Sequence, residues 1–301
     1  MLTLLAKAAI YRPDYDAKTA PQMPQETLRK LHTISPEHYE SYHALVNWLP
    51  GEENQVHPNY IQTLTLPMQL SMMTQTPFPF KALGLVHLAN RINVFELPKK
   101  DDTLELNTYF GRIYSHKRGY VFEIHSDASK QGTVALKATS YYLARTRKVL
   151  FEEGLSKFTD ATLLQNCTLT PEVVANSTRI TKLNFSENIG RKYARVSGDY
   201  NPIHLWPLTS RLFGFKRAIA HGMYSHALAL SALQRSHQID LRTNVSIKAL
   251  FKQPIVLPVD VECTVKACKD NSLDFSLFSE KPSAHHRFNP HLIGCITPLE
   301  K

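Results

Sequence analysis

Residues 220–234 read AHGMYSHALALSALQ, a helical run with no Asp, Glu, Lys or Arg in it. Ala227, Leu228, Ala229, Leu230, Ala232 and Leu233 make it apolar nearly all round, so most of its surface must be covered. Runs of strand type follow at Asn244–Val256, Val259–Ala267, Leu273–Ser279 and His291–Thr297. A strongly curved antiparallel sheet wrapped around the helix supplies that cover.

The same order occurs earlier in the chain. Leu66–Thr74 (LPMQLSMMT) reads as a short apolar helix, stopped by Pro77 and Pro79. Strand-like runs follow at Leu85–Phe95, Thr103–Ser115, Tyr120–Ala128 and Val134–Arg145, with turns at Lys117-Arg118-Gly119 and Ser129–Gly132. Leu97-Pro98 with Asp101-Asp102 precedes one strand, and Leu257-Pro258 with Asp260 precedes its counterpart. Shared order with a shared local signature predicts two copies of one α+β unit. Residues 1–60 show only short helical patterns, Pro24–His32 and Pro36–Trp48, and read as an extension. Residues 61–146 form the first unit, 147–180 a linker, and 181–301 the second unit.

Immediately upstream of the long helix, residues 193–223 read YARVSGDYNPIHLWPLTSRLFGFKRAIAHGM. Pro202 disfavours helix at Asn201, while Asn is a good N-cap and Pro a good first helical residue. A short helical turn therefore starts there, with His204 in it. The positive end of that turn disfavours imidazolium and favours an ionised Asp199. Gly198 permits a sharp backbone turn after a helix predicted over Ser186–Val196. His221-Gly222-Met223 stands where the long helix begins, and its first N–H groups have no partner within the helix. This pairs a carboxylate and an imidazole suited to proton transfer with an oxyanion site.

The chain has 301 residues, 43% hydrophobic and 20% charged, and carries a formal charge of +9. That describes a globular protein with a full core and an anionic partner. No nucleic-acid motif or long basic run is present, and no apolar run is long enough to span a bilayer. MLTLLAKAAI, interrupted by Lys7 and followed by Tyr11-Arg12-Pro13-Asp14, reads as a mature N-terminus rather than a signal peptide. Cys167, Cys263, Cys268 and Cys295 fit no metal spacing and are too sparse for a disulfide framework, which suggests reduced thiols and a cytoplasmic setting. His285, His286, His291 and Cys295 match no standard metal site. No metal or cofactor is expected.

Tyr193, Ser197-Gly198-Asp199, Asn201-Pro202-Ile203-His204 and Ile219-Ala220-His221-Gly222-Met223 together resemble the MaoC-like family of (3R)-specific enoyl-CoA hydratases and hydroxyacyl dehydratases. The resemblance runs from about residue 180 to the C-terminus, and 61–146 looks like the degenerate unit of the family's double-hot-dog members. It implies a double hot-dog fold and reversible hydration of 2-enoyl thioesters of coenzyme A or acyl carrier protein. Asp199 and His204 would activate water, and the Gly222 N–H would bind the thioester carbonyl. Ser197, Asn201, His221 and Met223 would line the site, and Arg191, Lys216, Arg217 and Lys248 would meet the phosphates of the carrier arm. One active site per chain is expected, in a pseudo-dimeric monomer or a homodimer. Two departures stand out. Trp206 occupies the place of the family's usual acidic residue two positions after the histidine. Leu257-Pro258-Val259-Asp260 replaces the usual Pro-Gly-Asp. The alternatives are a non-catalytic acyl-thioester-binding or scaffold protein and a hot-dog thioesterase; the latter needs a carboxylate near the central helix, which has none.

Overall fold

The computed structural model describes residues 2–11, 13, 21–49, 51, 53–146, 154–164, 177–236, 239–268, 271–279 and 289–299. Ten strands form one antiparallel sheet: β1 (Thr27–Thr33), β2 (Val86–Glu96), β3 (Thr103–His116), β4 (Gly119–Lys130), β5 (Thr133–Arg145), β6 (Thr178–Phe185), β7 (Thr243–Phe251), β8 (Val259–Ala267), β9 (Leu273–Phe278) and β10 (Leu292–Pro298). Their order across the sheet is β1-β3-β4-β5-β2-β7-β10-β9-β8-β6. Read inward from either edge, the two halves have the same sequence of strands. They join where β2 pairs with β7, Ile92 opposite Ile247.

Each half wraps a helix. In the second, α7 (Gly222–Arg235) packs on β6 and β8, with every residue from Met223 to Leu233 buried. In the first, α3 (Tyr60–Met72) packs on β3, β4 and β5. The repeat extends to the flanks, because α2 (Pro36–Leu45) precedes α3 as α5 (Ile189–Ser197) precedes α7. Helix α1 (Leu2–Ile10) packs against α3, and two short helices, α4 (Asp160–Leu163) and α6 (Pro207–Arg211), lie in the connections.

Three expectations need correction. Pro24–His32 is not helical: Thr27–Thr33 is a strand paired along its length with β3. A boundary at residue 60 would cut this strand from the sheet it edges. β1 and its counterpart β6 are the half-exposed edge strands, so TLRKLHT and TRITKLNF lack a buried strand's apolar signature. Helix α3 begins at Tyr60, six residues before the predicted start, and runs through Pro67. It is one residue shorter than α7, 13 against 14. Within the expected linker, residues 154–164 lie over the outer face of the sheet. Phe158, Leu163 and Leu164 pack there on Leu88, Tyr114, Val121 and Tyr141.

The other strands fall within a few residues of their predicted bounds, except that β7 stops at Phe251 rather than Val256. Cys263 and Cys295 are buried, while Cys167, His285 and His286 lie outside the described residues. No helix among the described residues is long and apolar enough to cross a membrane.

Candidate active site

The 193–223 stretch folds as the local signals require. Helix α5 ends on Gly198, whose φ of 75° is the left-handed value that glycine adopts without strain. The Asp199 N–H donates to Ser197 Oγ at 3.1 Å, and the Asn201 N–H donates to Asp199 Oδ1 at 3.1 Å. Asn201 then caps a single 3₁₀ turn, Pro202–His204, its Oδ1 accepting from the Ile203 N–H. These bonds hold Asp199 five residues before His204 and aim both side chains at one point.

His204 Nδ1 lies 2.8 Å from the Ile219 carbonyl oxygen. A carbonyl only accepts, so the imidazole proton is on Nδ1 and Nε2 keeps its lone pair. Burial, with His221 next to it, pulls the His204 pKa down to about 3. His221 Nε2 donates to the Asp199 backbone carbonyl at 2.9 Å, and its ring lies 3.8 Å from the His204 ring. The sequence reading placed His221 among the residues lining the site; in the fold its imidazole ties α7 to the Asp199 loop. Burial raises the Asp199 pKa, but His221, His204 and the Asn201 N–H outweigh this and hold it below the ordinary value. The Asp199 side chain is 37% exposed. Asp199, His204 and His221 offer donor atoms within 4.8 Å of one another, a spacing that could also hold a metal ion.

Gly222 opens α7, and His221 at the N-cap makes no side-chain capping bond. The first N–H groups of α7 therefore have no partner within the helix. A Cβ on Gly222 would lie 3.0 Å from Phe251 Cδ1, so the glycine also makes room for that ring. From the first half, His87 reaches the site. It stacks on Tyr142 at 4.7 Å, lies 5.2 Å from Phe251, and feels the Asp199 charge, as Tyr142 does.

The basic residues divide. Lys216 and Arg217 are exposed on the turn before Ala218. Arg191 is already engaged: its guanidinium donates to the Leu205 carbonyl at 2.9 Å and stacks 3.8 Å over Trp206. This contact anchors Trp206 to α5. Lys248 is misplaced as a carrier-arm contact. It faces Arg91 across β2 and β7 and alternates with Ile247 and Ala249, which point into the helix-side core. Its side chain lies on the sheet's other face. Ser197 and Asn201 hold the loop, and Met223 is buried beneath it.

Gly190 went unread. A Cβ there would lie 1.9 Å from the His204 carbonyl oxygen, so α5 can approach the turn only with glycine at this point. An isolated glycine inside a helical pattern was the available signal. An open cleft of about 560 Å³ elsewhere, lined by Gly51, Glu53, Gln55, Glu96, Asp240, Arg242 and Thr243, contains none of these residues. It offers an Asp240–Arg242 ion pair but no proton-transfer pair, so chemistry rather than volume identifies the site.

Residues 148–275 match the model of the MaoC like domain family. The chain is 30% identical over 225 residues to 3-hydroxyacyl-thioester dehydratase X of Mycobacterium tuberculosis, spanning 75% of this chain and 74% of that one. A crystal structure of HtdX from the same organism superposes with a TM-score of 0.72 at 25% identity, covering 91% of this chain and all of that one. A MaoC-like dehydratase from Phytophthora capsici shares the fold, with a TM-score of 0.71 at 15% identity, covering 92% and 96%. So does an M. tuberculosis protein described as a double hotdog fold, with a TM-score of 0.56 at 13% identity and the same coverage.

Proposed function

This chain belongs to the MaoC-like dehydratase family and is a hydro-lyase, and from that premise we propose that it interconverts (3R)-3-hydroxyacyl and 2-enoyl thioesters of coenzyme A or acyl carrier protein. The thioester carbonyl accepts from the Gly222 N–H, where the positive end of α7 favours the negative charge that develops on oxygen. This draws electrons from C3. Water held between the Asp199 carboxylate and His204 Nε2 gives up a proton as its oxygen bonds to C3. The same pair returns a proton to C2, so one water adds across the double bond. Dehydration runs the steps in reverse. His221 positions the loop through the Asp199 carbonyl, and Lys216 and Arg217 meet the carrier phosphates.

The supporting observation is the His204 tautomer. With its proton spent on Ile219, the imidazole presents a lone pair beside a carboxylate and one short step from a helix N-terminus. The site belongs to the second half, with His87 and Tyr142 of the first half as its far wall. A thioesterase role lacks support, because α7 carries no Asp or Glu.

Loss of the enoyl absorbance of crotonyl-CoA tests the reading. Asp199→Asn and His204→Ala should each lower kcat by about 10²–10⁴, the usual worth of a positioned acid–base group. More than about a tenth of wild-type kcat in either variant, or no turnover by the wild type, overturns the assignment.

A further inference from the structure

One turn into α7 from Gly222 lies His226, fully buried, and neither of its ring nitrogens has a partner among the described residues. Its neighbours are the Phe251 ring at 6.5 Å and the Phe275 ring, parallel to it at 6.1 Å. Phe251 also packs on Gly222 and on His87, whose buried Nε2 is likewise unpartnered. His226 and His87 thus both border the Phe251 ring that packs on Gly222, and three of their four ring nitrogens have no partner among the described residues. Leaving a buried polar group unpaired costs about 1–3 kcal/mol, so orphans at this density need a reason.

The polar wall continues from there. His87 stacks on Tyr142, whose hydroxyl donates to Gln69 Oε1 at 2.9 Å. Gln62 accepts from Ser140, and Ser140 Oγ accepts from Asn90. A plain alkyl chain leaving the carbonyl site past His87 and His226 would bury their free nitrogens and satisfy none of them.

We propose that His226 and His87 form a subsite for an oxygen atom on the acyl chain, so that the preferred substrates are thioesters carrying a hydroxyl or carbonyl beyond C3. This rests on the thioester reading above and names the substrate class within it. Both imidazoles are neutral: burial, with His87 nearby, pulls His226 down to about 3, and burial takes His87 to about 4 despite the opposing pull of Asp199 and the Ala89 backbone. His226 can therefore donate from one nitrogen and accept at the other, whereas His87, whose other nitrogen bonds the Ala89 backbone, presents Nε2 as an acceptor.

Saturated thioesters separate binding from chemistry, since they have neither a C2=C3 bond nor a C3 hydroxyl to react. The test is calorimetric binding of hexanoyl-CoA, 5-oxohexanoyl-CoA and 6-hydroxyhexanoyl-CoA to the wild-type protein and to His226→Leu. The wild type should bind at least one oxygenated probe about tenfold more tightly than hexanoyl-CoA, the scale of one good hydrogen bond. His226→Leu should reduce that preference to less than about threefold, and His226→Gln, which keeps a donor and an acceptor, should retain part of it. Equal or tighter wild-type binding of hexanoyl-CoA overturns the proposal, as does a preference that survives in His226→Leu. Should the leucine variant fail to fold, the wild-type ratio and His87→Phe decide in the same way. Crotonyl-CoA turnover by the same wild-type preparation keeps the two ideas apart. Turnover without the oxygen preference removes only the subsite; the preference without turnover removes only the reaction.

Discussion

Asp199 and His204 owe their positions to backbone bonds rather than to side-chain identity alone. The carboxylate is set by the Ser197 and Asn201 contacts, and the imidazole by one carbonyl, that of Ile219. Gly190 is the least conspicuous member of this group. An added methyl must move the His204 backbone, because the atom in its way at 1.9 Å is a carbonyl oxygen, not a flexible side-chain end. Gly190→Ala should lower stability by about 1–3 kcal/mol, the range for overpacking. It should lower kcat for crotonyl-CoA more than it raises KM, because the proposed base is displaced and the proposed carbonyl site is not. Thermal unfolding and steady-state kinetics on one preparation check both, and an unchanged kcat would show that the turn absorbs the methyl without moving His204.

Among the elements, α3 and α7 are matched in place and length but differ in what they present to the sheet. α7 buries alanines and leucines, whereas α3 buries Gln62, Thr63, Thr65 and Gln69. Gln69 accepts from Tyr142 and donates to Gln62, Thr65 and Ser126, all within 3.3 Å. Truncating it strips four buried groups of a partner and leaves a cavity. Gln69→Ala should therefore destabilise by about 2–4 kcal/mol, combining unpaired polar groups with lost packing. Gln69→Glu, isosteric but charged in a buried site, should cost at least as much. Chemical denaturation with a constant m-value would register both changes; a loss below about 0.5 kcal/mol, typical of a surface change, would mean the network contributes nothing.

At the scale of the whole molecule, burial of histidines makes the fold acid-sensitive. His43 and His87 titrate at about 4, and His204 and His226 at about 3, burial being the main cause in each case. His57 is likewise held well below its ordinary value. In the unfolded chain these groups bind protons from about pH 6.5 downward, while in the fold they do not. The unfolded state then holds more protons, so stability rises with pH between about 3 and 6.5 and levels off above. Tm should be nearly flat above pH 7 and fall steeply below about 6.5, each fully buried histidine adding roughly 1.4 kcal/mol per pH unit. A Tm that holds steady from pH 7 to 5 would contradict the neutral, buried state of these rings.

The residue motifs and most of the strands were legible in the sequence because both are local. Asn201-Pro202 sets its own turn, Gly198 its own left-handed residue, and buried strands such as Leu273–Phe278 announce themselves by apolar density. The repeated Leu-Pro turns likewise marked two like units before any pairing was known. The edge strands β1 and β6 were not legible, since half of each faces solvent and its polarity hides it. Nor was the face taken by Lys248, the engagement of Arg191 with Trp206, or the approach of α5 that excludes any side chain at Gly190. These depend on which distant segment arrives at a given point, and no local propensity encodes that. The gathering of His87 and His226 around Phe251 belongs to the same class, because a residue's chemistry is written in the chain while its neighbours are settled only by packing.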